Sequence, residues 1–289
     1  MCFCETEMKN NYNLESNGCE KDGKYCYNAI PTRFVFVFLG FFGFNLVYAY
    51  KVVLSVTIVA MVGHNSSEHY SDECKDSITN TNITSNHTIT TGDYNWTEQQ
   101  STSVLGAFFY GYVLTQIPGG LLAERFGAKW IFGSSILITA VLALISPLAA
   151  DLSYGAFFAV RVGQGLAEGV VFPVMNSMLA KWLPKMERSL GSTIVFTGAQ
   201  IGTVITMPLA GVFSDGHFWG GWRAIFYLLG ITGCLWFVLW SLFVSESPET
   251  HPHISSKELD FIKKGQGIEA VTQVWLKLIS NIFNNYFDD

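Results

Sequence analysis

The sequence is short of charged residues. They make up only 14% of the 289 residues, against about 25% in an average soluble domain. The shortage is uneven, because residues 1–33, 63–100 and 250–289 are polar, whereas the stretches between them are long apolar runs. This distribution excludes an ordinary soluble domain and indicates an integral membrane protein.

The chain also lacks the residue sets of an enzyme or a metal protein. Its six cysteines are scattered, and none has a histidine at zinc-ligand spacing. No Ser/His/Asp or metal-ligand set lies at a suitable depth, so we expect no enzyme, no metal and no resident cofactor. The net charge of −6 comes mainly from the tails and the large polar loop, and it indicates no nucleic-acid partner. The N-terminal tail is polar and does not have the form of a cleaved signal peptide.

Six apolar runs reach the ~20 residues that a helix needs to cross a bilayer. They are Phe34–Val62, Ser103–Leu122, Trp130–Ala150, Ser153–Leu179, Leu190–Val212 and Ile225–Val244. The predicted fold is therefore an all-α membrane protein with a six-helix transmembrane bundle over residues 34–246. A tail (1–33) precedes the bundle, and a segment with short amphipathic helices (247–289) follows it.

The basic residues of the loops predict the orientation. Five lie after the second and fourth spans, and two lie after the other internal spans: Arg125, Lys129, Lys181, Lys185 and Arg188, against Lys75 and Arg223. Because lysine and arginine concentrate in cytoplasmic loops, both ends of the chain are expected in the cytoplasm.

The predicted outer loop, 63–100, contains four Asn-x-Ser/Thr triplets, at Asn65, Asn82, Asn86 and Asn95. Such triplets are acceptors for N-glycosylation. Four in one loop that the charge pattern already places outside favour a glycoprotein. An Asn/Thr-rich loop with incidental triplets is the alternative, and Asn95 lies close to the second span.

Two opposite charges interrupt the fourth apolar run. A charge at the bilayer centre costs at least about 2.5–3.5 kcal/mol, yet Arg161 and Glu168 both lie there. Their seven-residue spacing puts them on one helix face, ~10 Å apart along the axis, too far for a direct bond. The glycines between them would let a neighbouring helix approach closely. A polar cavity for an anion is the favoured interpretation, and a structural interhelical ion pair is the alternative.

Other polar positions in the spans carry weaker signals. Lys51 in the first span either faces an aqueous cavity or reaches the surface by snorkelling. Gly198 and Gly202 have the GxxxG spacing of close helix packing. Trp236 and Trp240 are expected to pack or to lie at a membrane interface rather than bind a ligand. After the last span, Ser255 and Glu258 have capping-box spacing, and a second amphipathic helix is predicted around Val271–Phe283.

The second and third spans are joined by a recognisable sequence. Pro118 and the two glycines after it are expected to end or kink the helix before a tight charged turn. The stretch "GLLAERFGAK", residues 120–129, resembles the major facilitator superfamily signature Gly-x-Leu-Ala-Asp/Glu-Arg-x-Gly-x-Arg/Lys. With "RVGQGLAEGVVFPVMNSMLAKWLPKMERS" and "SPETHPHIS", it is similar to the branch of sialin, the vesicular glutamate carriers and the sodium–phosphate cotransporters. The resemblance runs from Phe34 to Ile262.

This resemblance implies a secondary active transporter, a symporter of organic or inorganic anions coupled to protons or sodium. Lys51 and Arg161 would then bind the substrate, and Glu168 would bind the coupling proton. The residues of a conformational-gate motif would be Gly120, Glu124, Arg125, Gly127 and Lys129. The family's arginine and asparagine in the first helix are replaced here by Lys51 and Val53, and Leu105 replaces a histidine of the glutamate carriers.

Members of this family have twelve spans in two related halves, with the substrate held between them. We therefore expect this chain to equal the N-terminal half, as a truncated isoform or an incomplete gene reading. The alternative is a non-transporting half-carrier that pairs with itself or with a full-length carrier. The expected partners are a small anionic solute and the lipid bilayer, in the plasma membrane or a lysosomal or vesicular membrane.

Overall fold

The computed structural model describes residues 19–21, 24–26, 31–62, 92–214, 220–252 and 254–266. A short antiparallel pair, β1 (Cys19–Lys21) and β2 (Lys24–Cys26), precedes the helices. The helices are α1 (Thr32–Met61), α2 (Glu98–Phe126), α3 (Ala128–Leu152), α4 (Tyr154–Glu168), α5 (Val171–Trp182), α6 (Lys185–Ser214), α7 (Trp222–Phe243) and α8 (Ser256–Gln266).

Five helical segments in the described part of the chain are long and apolar enough to cross a membrane: α1, α3, α6, α7 and the combined α4–α5, Tyr154–Trp182. Helices α4 and α5 form one span that is interrupted at Gly169 and Val170. Helix α2 is as long, with 29 residues, but it is less apolar because Thr115, Gln116 and Pro118 interrupt it. It packs against α4, α5 and α3, as the sixth helix of the predicted bundle.

The helices pack mainly in pairs: α1 with α6, α2 with α4, and α3 with α7. Glycines set the α1–α6 distance, because a Cβ at Gly198 or Gly202 would overlap the carbonyl oxygens of Phe41 and Asn45. The close packing predicted from the GxxxG spacing is confirmed, and α1 is the partner helix.

Helices α2 and α4 approach each other even more closely. A Cβ at Gly165 would overlap the carbonyl oxygen of Phe108, and one at Gly169 would overlap Thr115. From the other helix, a Cβ at Gly111 would overlap the carbonyl oxygen of Val162. The neighbour that the glycines of the fourth span were predicted to admit is therefore α2.

The last helix is held to the bundle by two tryptophans. The Trp236 and Trp240 rings stack with their centroids 5.1 Å apart. The Trp236 Nε1 donates to the Leu39 carbonyl oxygen at 3.1 Å, and the Trp240 Nε1 donates to that of Lys129 at 3.0 Å. The prediction that these rings pack is confirmed, and they tie α7 to α1 and α3.

The bundle has two distinct ends. The basic end carries the α2–α3 turn at Gly127, the α5–α6 turn at Pro184, and α8. The loop end carries residues 92–97, the α3–α4 turn at Ser153, and the start of α7. The start of α1 meets α8 at the basic end. There the Glu258 carboxylate accepts hydrogen bonds from the backbone N–H groups of Thr32 and Arg33, at 3.2 and 3.1 Å.

Three local expectations need correction or restriction. Helix α2 does not end at Pro118 but continues to Phe126, so Gly120 and Glu124 lie in its last turns. It also begins at Glu98 rather than Ser103, because Thr97 and Gln100 form a capping box. The predictions that concern Asn65, Asn82, Asn86 and the amphipathic helix Val271–Phe283 lie outside the described residues.

The α2–α4 contact yields a stability prediction. Gly165→Ala should lower the free energy of unfolding by about 1–3 kcal/mol, because the new methyl group must displace the backbone of α2. Thermal unfolding of the detergent-solubilised protein measures the change.

The matched control is Gly106→Ala, also in a helix of this pair. A Cβ there meets nothing within 4 Å, so the better helix propensity of alanine should leave stability equal or slightly higher. Equal unfolding temperatures for the two variants would contradict the tight α2–α4 contact.

Candidate functional site

Arg161 lies on α4 inside the bundle, with only 1% of its surface exposed. Its Nη1 donates to the Tyr50 carbonyl oxygen of α1 at 3.3 Å and to the Gln164 Oε1 at 3.0 Å. Its Nε and Nη2 atoms are buried and have no hydrogen-bond partner among the described residues. The guanidinium is therefore held at one corner and keeps unused donors.

Two phenylalanines flank this guanidinium. The Arg161 Cζ lies 5.7 Å from the ring centroid of Phe157, one turn earlier on α4, and 5.7 Å from that of Phe226 on α7. Both rings are fully buried. Cation–π contacts of this kind are worth about 2 kcal/mol when desolvated, so the rings compensate part of the cost of burying the charge.

Glu168 is the last residue of α4 and has an exposure of 0%. Neither of its carboxylate oxygens has a hydrogen-bond partner in the part of the chain that the structure describes. It makes no ion pair there, with Arg161 or with any other described residue. The structural ion-pair alternative is therefore not what the geometry shows, and the burial of both side chains excludes a position facing lipid.

Lys51 on α1 is half-buried and lies among aromatic rings. Its Nζ is 4.3 Å from the ring centroid of Tyr112, 4.8 Å from Tyr48, 5.5 Å from Phe108 and 5.8 Å from Phe172. These rings come from α1, α2 and α5. An ammonium surrounded by ring faces in this way is stabilised without a counter-ion in direct contact.

The sequence-predicted charges thus come from two helices of one bundle. Arg161 has two free donors, Glu168 has two free acceptors, and Lys51 keeps its charge unpaired by any described carboxylate. Unsatisfied buried polar groups are rare in folded proteins and each calls for an explanation. A bound ligand or ion with complementary groups would satisfy these donors and acceptors.

The gate motif lies at the basic end. Gly127 joins α2 to α3 with a positive φ of 89°, a conformation that favours glycine. Lys129 donates from Nζ to the carbonyl oxygen of Ser241 near the end of α7, at 3.0 Å. Arg125 is exposed, and a Cβ at Gly120 would meet nothing within 4 Å. The side chain of Glu124 lies outside the described residues.

Glu246, which was not predicted from the sequence, contacts the start of this motif's second helix. Its carboxylate accepts from the backbone N–H groups of Ala128 and Lys129, each at 2.8 Å, at the first turn of α3. It also accepts from the Lys181 Nζ at 3.1 Å. A carboxylate at a helix N-terminus satisfies free N–H groups and the helix dipole. The available signal was an acidic residue just after the last apolar run.

The second group that the sequence analysis missed is at the loop end. We call it the loop-end cluster: Asp93, Tyr94, Trp96, Asp151, Trp222 and Arg223. The Asp151 Oδ1 accepts from Arg223 at 3.0 Å and from the Tyr94 hydroxyl. Burial and this hydrogen bond raise the pKa of Tyr94 to about 12, so its hydroxyl stays protonated. Asn95, the one sequon residue described here, is exposed between two members of the cluster.

Comparison with known proteins agrees with this geometry. The chain matches the family model of the Major Facilitator Superfamily over residues 37–286, which is beyond Ile262, where the sequence analysis ended the resemblance. It is 39% identical over 256 residues to sialin of Ovis aries, covering 86% of this chain and 51% of that protein. It is 35% identical over 241 residues to vesicular glutamate transporter 1 of Bos taurus, covering 83% and 40%. The chain spans about half the length of the curated relatives it matches.

Solved structures show the same fold at low identity. A bacterial homologue of the human lysosomal transporter Spinster, inward-facing and occupied, gives a TM-score of 0.61 at 17% identity, over 78% of this chain and 47% of that one. The E. coli xylose transporter XylE, partially occluded and inward-open, gives 0.55 at 16% identity, over 88% and 60%.

The Glu246 contacts yield a second prediction. Glu246→Gln should lower the free energy of unfolding by about 1–3 kcal/mol, because an amide cannot accept from both N–H groups and Lys181 as a carboxylate does. Chemical or thermal unfolding in detergent measures this loss.

Glu249→Gln is the matched control. Among the described residues Glu249 forms an ion pair with Lys263, at 3.0 Å, and its side chain is 64% exposed, so its loss should change stability by less than about 0.5 kcal/mol. A larger loss for Glu249→Gln than for Glu246→Gln would show that the carboxylate at the start of α3 is dispensable.

Proposed function

This chain belongs to the major facilitator superfamily, and on that premise we propose that it forms the N-terminal half of a secondary carrier for small anions. The carrier would be a symporter driven by protons or sodium, with no other cofactor. Members of this superfamily are transporters, not enzymes. The observation that carries the proposal is the buried guanidinium of Arg161 with its two unused donors.

Arg161 is the proposed anchor for the anion. A carboxylate or phosphate could accept from its Nε and Nη2 atoms together, and such charge-assisted, two-pronged bonds are the strongest that a protein makes to these groups. Among the relatives are vesicular glutamate transporters, whose named substrate carries carboxylates. Lys51 would add positive potential at a second point.

Glu168 is the proposed proton-binding group. A buried carboxylate without hydrogen bonds is costly, and a proton, a water molecule or a sodium ion would each remove part of that cost. Because the α4–α5 span is interrupted immediately after it, at Gly169 and Val170, a small movement there would admit water to Glu168. Loss of its negative charge would then reduce the electrostatic repulsion of an anion bound at Arg161.

The remaining residues fit the rocking of two halves around a central site. The gate motif (Gly120, Glu124, Arg125, Gly127 and Lys129) would brace the basic end against the second half. That end would be cytoplasmic, with Asn65, Asn82, Asn86 and Asn95 glycosylated on the other side. The membrane would be lysosomal, vesicular or plasma membrane.

Transport in reconstituted vesicles tests the proposal. We expect Arg161→Ala to lower uptake of labelled glutamate, glucuronate or phosphate about ten- to a hundredfold, the worth of a charged hydrogen bond. We expect Glu168→Gln to abolish uptake driven by a pH or sodium gradient while exchange of labelled for unlabelled anion persists. Applying each gradient in turn identifies the coupling ion.

Glu98→Gln, in the exposed first turn of α2, is the control and should transport like the unmodified chain. Unchanged uptake in both the Arg161 and Glu168 variants would remove these two residues from the mechanism.

The second candidate is a half-carrier that does not transport alone and pairs with itself or with a full-length carrier. The observation in its favour is that the chain covers 51% of sheep sialin. Uptake by this chain, compared with uptake by a version extended to twelve spans, separates the two. Transport by the extended version alone, together with altered uptake when this chain is added to it, would support the half-carrier.

A further inference from the structure

The Arg161 guanidinium is positioned by hydrogen bonds at one nitrogen and by aromatic rings. Nη1 donates to two acceptors, whereas Nε and Nη2 have no described partner. The Phe157 and Phe226 rings, each 5.7 Å from Cζ, are the aromatic contacts that the structure describes around this guanidinium. We expect them to hold the side of the group that carries Nε and Nη2.

Each of these rings contacts a tryptophan of the loop-end cluster. The Phe157 ring lies 5.6 Å from the ring of Trp96, and the Phe226 ring lies 5.9 Å from that of Trp222 at an interplanar angle of 87°. On each side of the guanidinium, a phenylalanine ring therefore contacts a tryptophan of the loop-end cluster.

The two tryptophans are themselves joined through the short segment before α2. The Tyr94 ring stacks on Trp96 at 5.1 Å and meets Trp222 edge-on at 6.0 Å. The Trp222 Nε1 donates to the Asp93 Oδ2 at 2.9 Å. The backbone N–H of Tyr94 donates to the carbonyl oxygen of Met61 at 2.9 Å, which anchors the segment to the end of α1.

We propose that Trp96 is a positioning residue for Arg161, and that the loop-end cluster sets the orientation of the guanidinium without touching it. This inference rests on the proposed function for its consequence, because a misoriented guanidinium binds an anion poorly. The contact itself does not depend on transport. The third span also contributes, since Asp151 at the end of α3 holds Arg223 and Tyr94.

The first test measures the exposure of Arg161 directly and needs no transport. The full chain in detergent is treated with phenylglyoxal, which modifies accessible arginines, and each arginine is quantified by mass spectrometry. We expect Trp96→Leu to raise modification of Arg161 about fivefold or more, because the Phe157 ring beside the guanidinium loses its aromatic contact. Trp96→Phe, which keeps a ring, should restore most of the protection.

Phe109→Leu is the matched control, because this ring on α2 is 60% exposed and lies outside the cluster. It should leave Arg161 protected, with the exposed Arg125 as an internal reference. Unchanged modification of Arg161 in Trp96→Leu would overturn the proposal. So would an equal rise at Arg33 and Arg188 of the basic end, which would mark a general loosening of the fold.

The second test uses transport where it is detected. Trp96→Leu should raise KM for the anion and leave kcat per folded molecule near that of the unmodified chain, and its effect should shrink in an Arg161→Lys background. A fall in kcat alone would overturn the positioning role. If no form of the chain transports any anion, the proposed function fails and the modification experiment still decides the role of Trp96.

Discussion

A charge inside a membrane must be enclosed by protein, and in this molecule the neighbouring helices enclose the two charges of α4. Arg161 contacts the Tyr50 carbonyl oxygen of α1 and the Phe226 ring of α7. On the side of α2, the glycines at 165 and 169 bring the two backbones into contact. Among the described residues the carboxylate of Glu168 is buried and has no hydrogen-bond partner, so the cost of burying it is not offset by hydrogen bonds within them.

The two ends of the bundle are held by different physical means. At the basic end, Glu246 and Glu258 place carboxylates on the N-termini of α3 and α1, where free N–H groups and the helix dipole attract negative charge. These bonds join residues more than a hundred positions apart and make the segment after α7 part of the bundle. At the loop end, contacts between the rings of Tyr94, Trp96 and Trp222 are combined with ion pairs of Arg223 to Asp93 and Asp151. The basic end is therefore held by carboxylates on helix N-termini, and the loop end by aromatic packing together with ion pairs.

Periodicity and composition predicted the apolar spans, and glycine spacing predicted two close helix contacts. The shared face of Arg161 and Glu168 follows from their spacing alone. Contacts between residues distant in sequence could not be predicted in this way, because the periodic spacing of apolar residues shows which helix face is buried but not which helix covers it. The rings around Lys51 and the contacts of Glu246 were therefore not predicted. The start of α2 is a different case, since Thr97 and Gln100 have capping-box spacing, whereas the span was predicted from its apolar residues alone. Pro118 was expected to end or kink α2, and the helix continues through it to Phe126, although proline usually interrupts a helix.

The two departures from the family pattern in α1 become consistent once the packing is known. Val53 is 2% exposed within the apolar core, so an asparagine there would need hydrogen-bond partners that its surroundings must supply. Lys51 ends among four rings, which suit a compact ammonium that has no fixed bonding direction. An arginine at that place would present a planar fork that must find acceptors. The two positive groups of the site therefore differ. The Lys51 ammonium contributes charge with no fixed hydrogen-bonding geometry, whereas the Arg161 guanidinium offers directional donors whose orientation depends on the rings beside it.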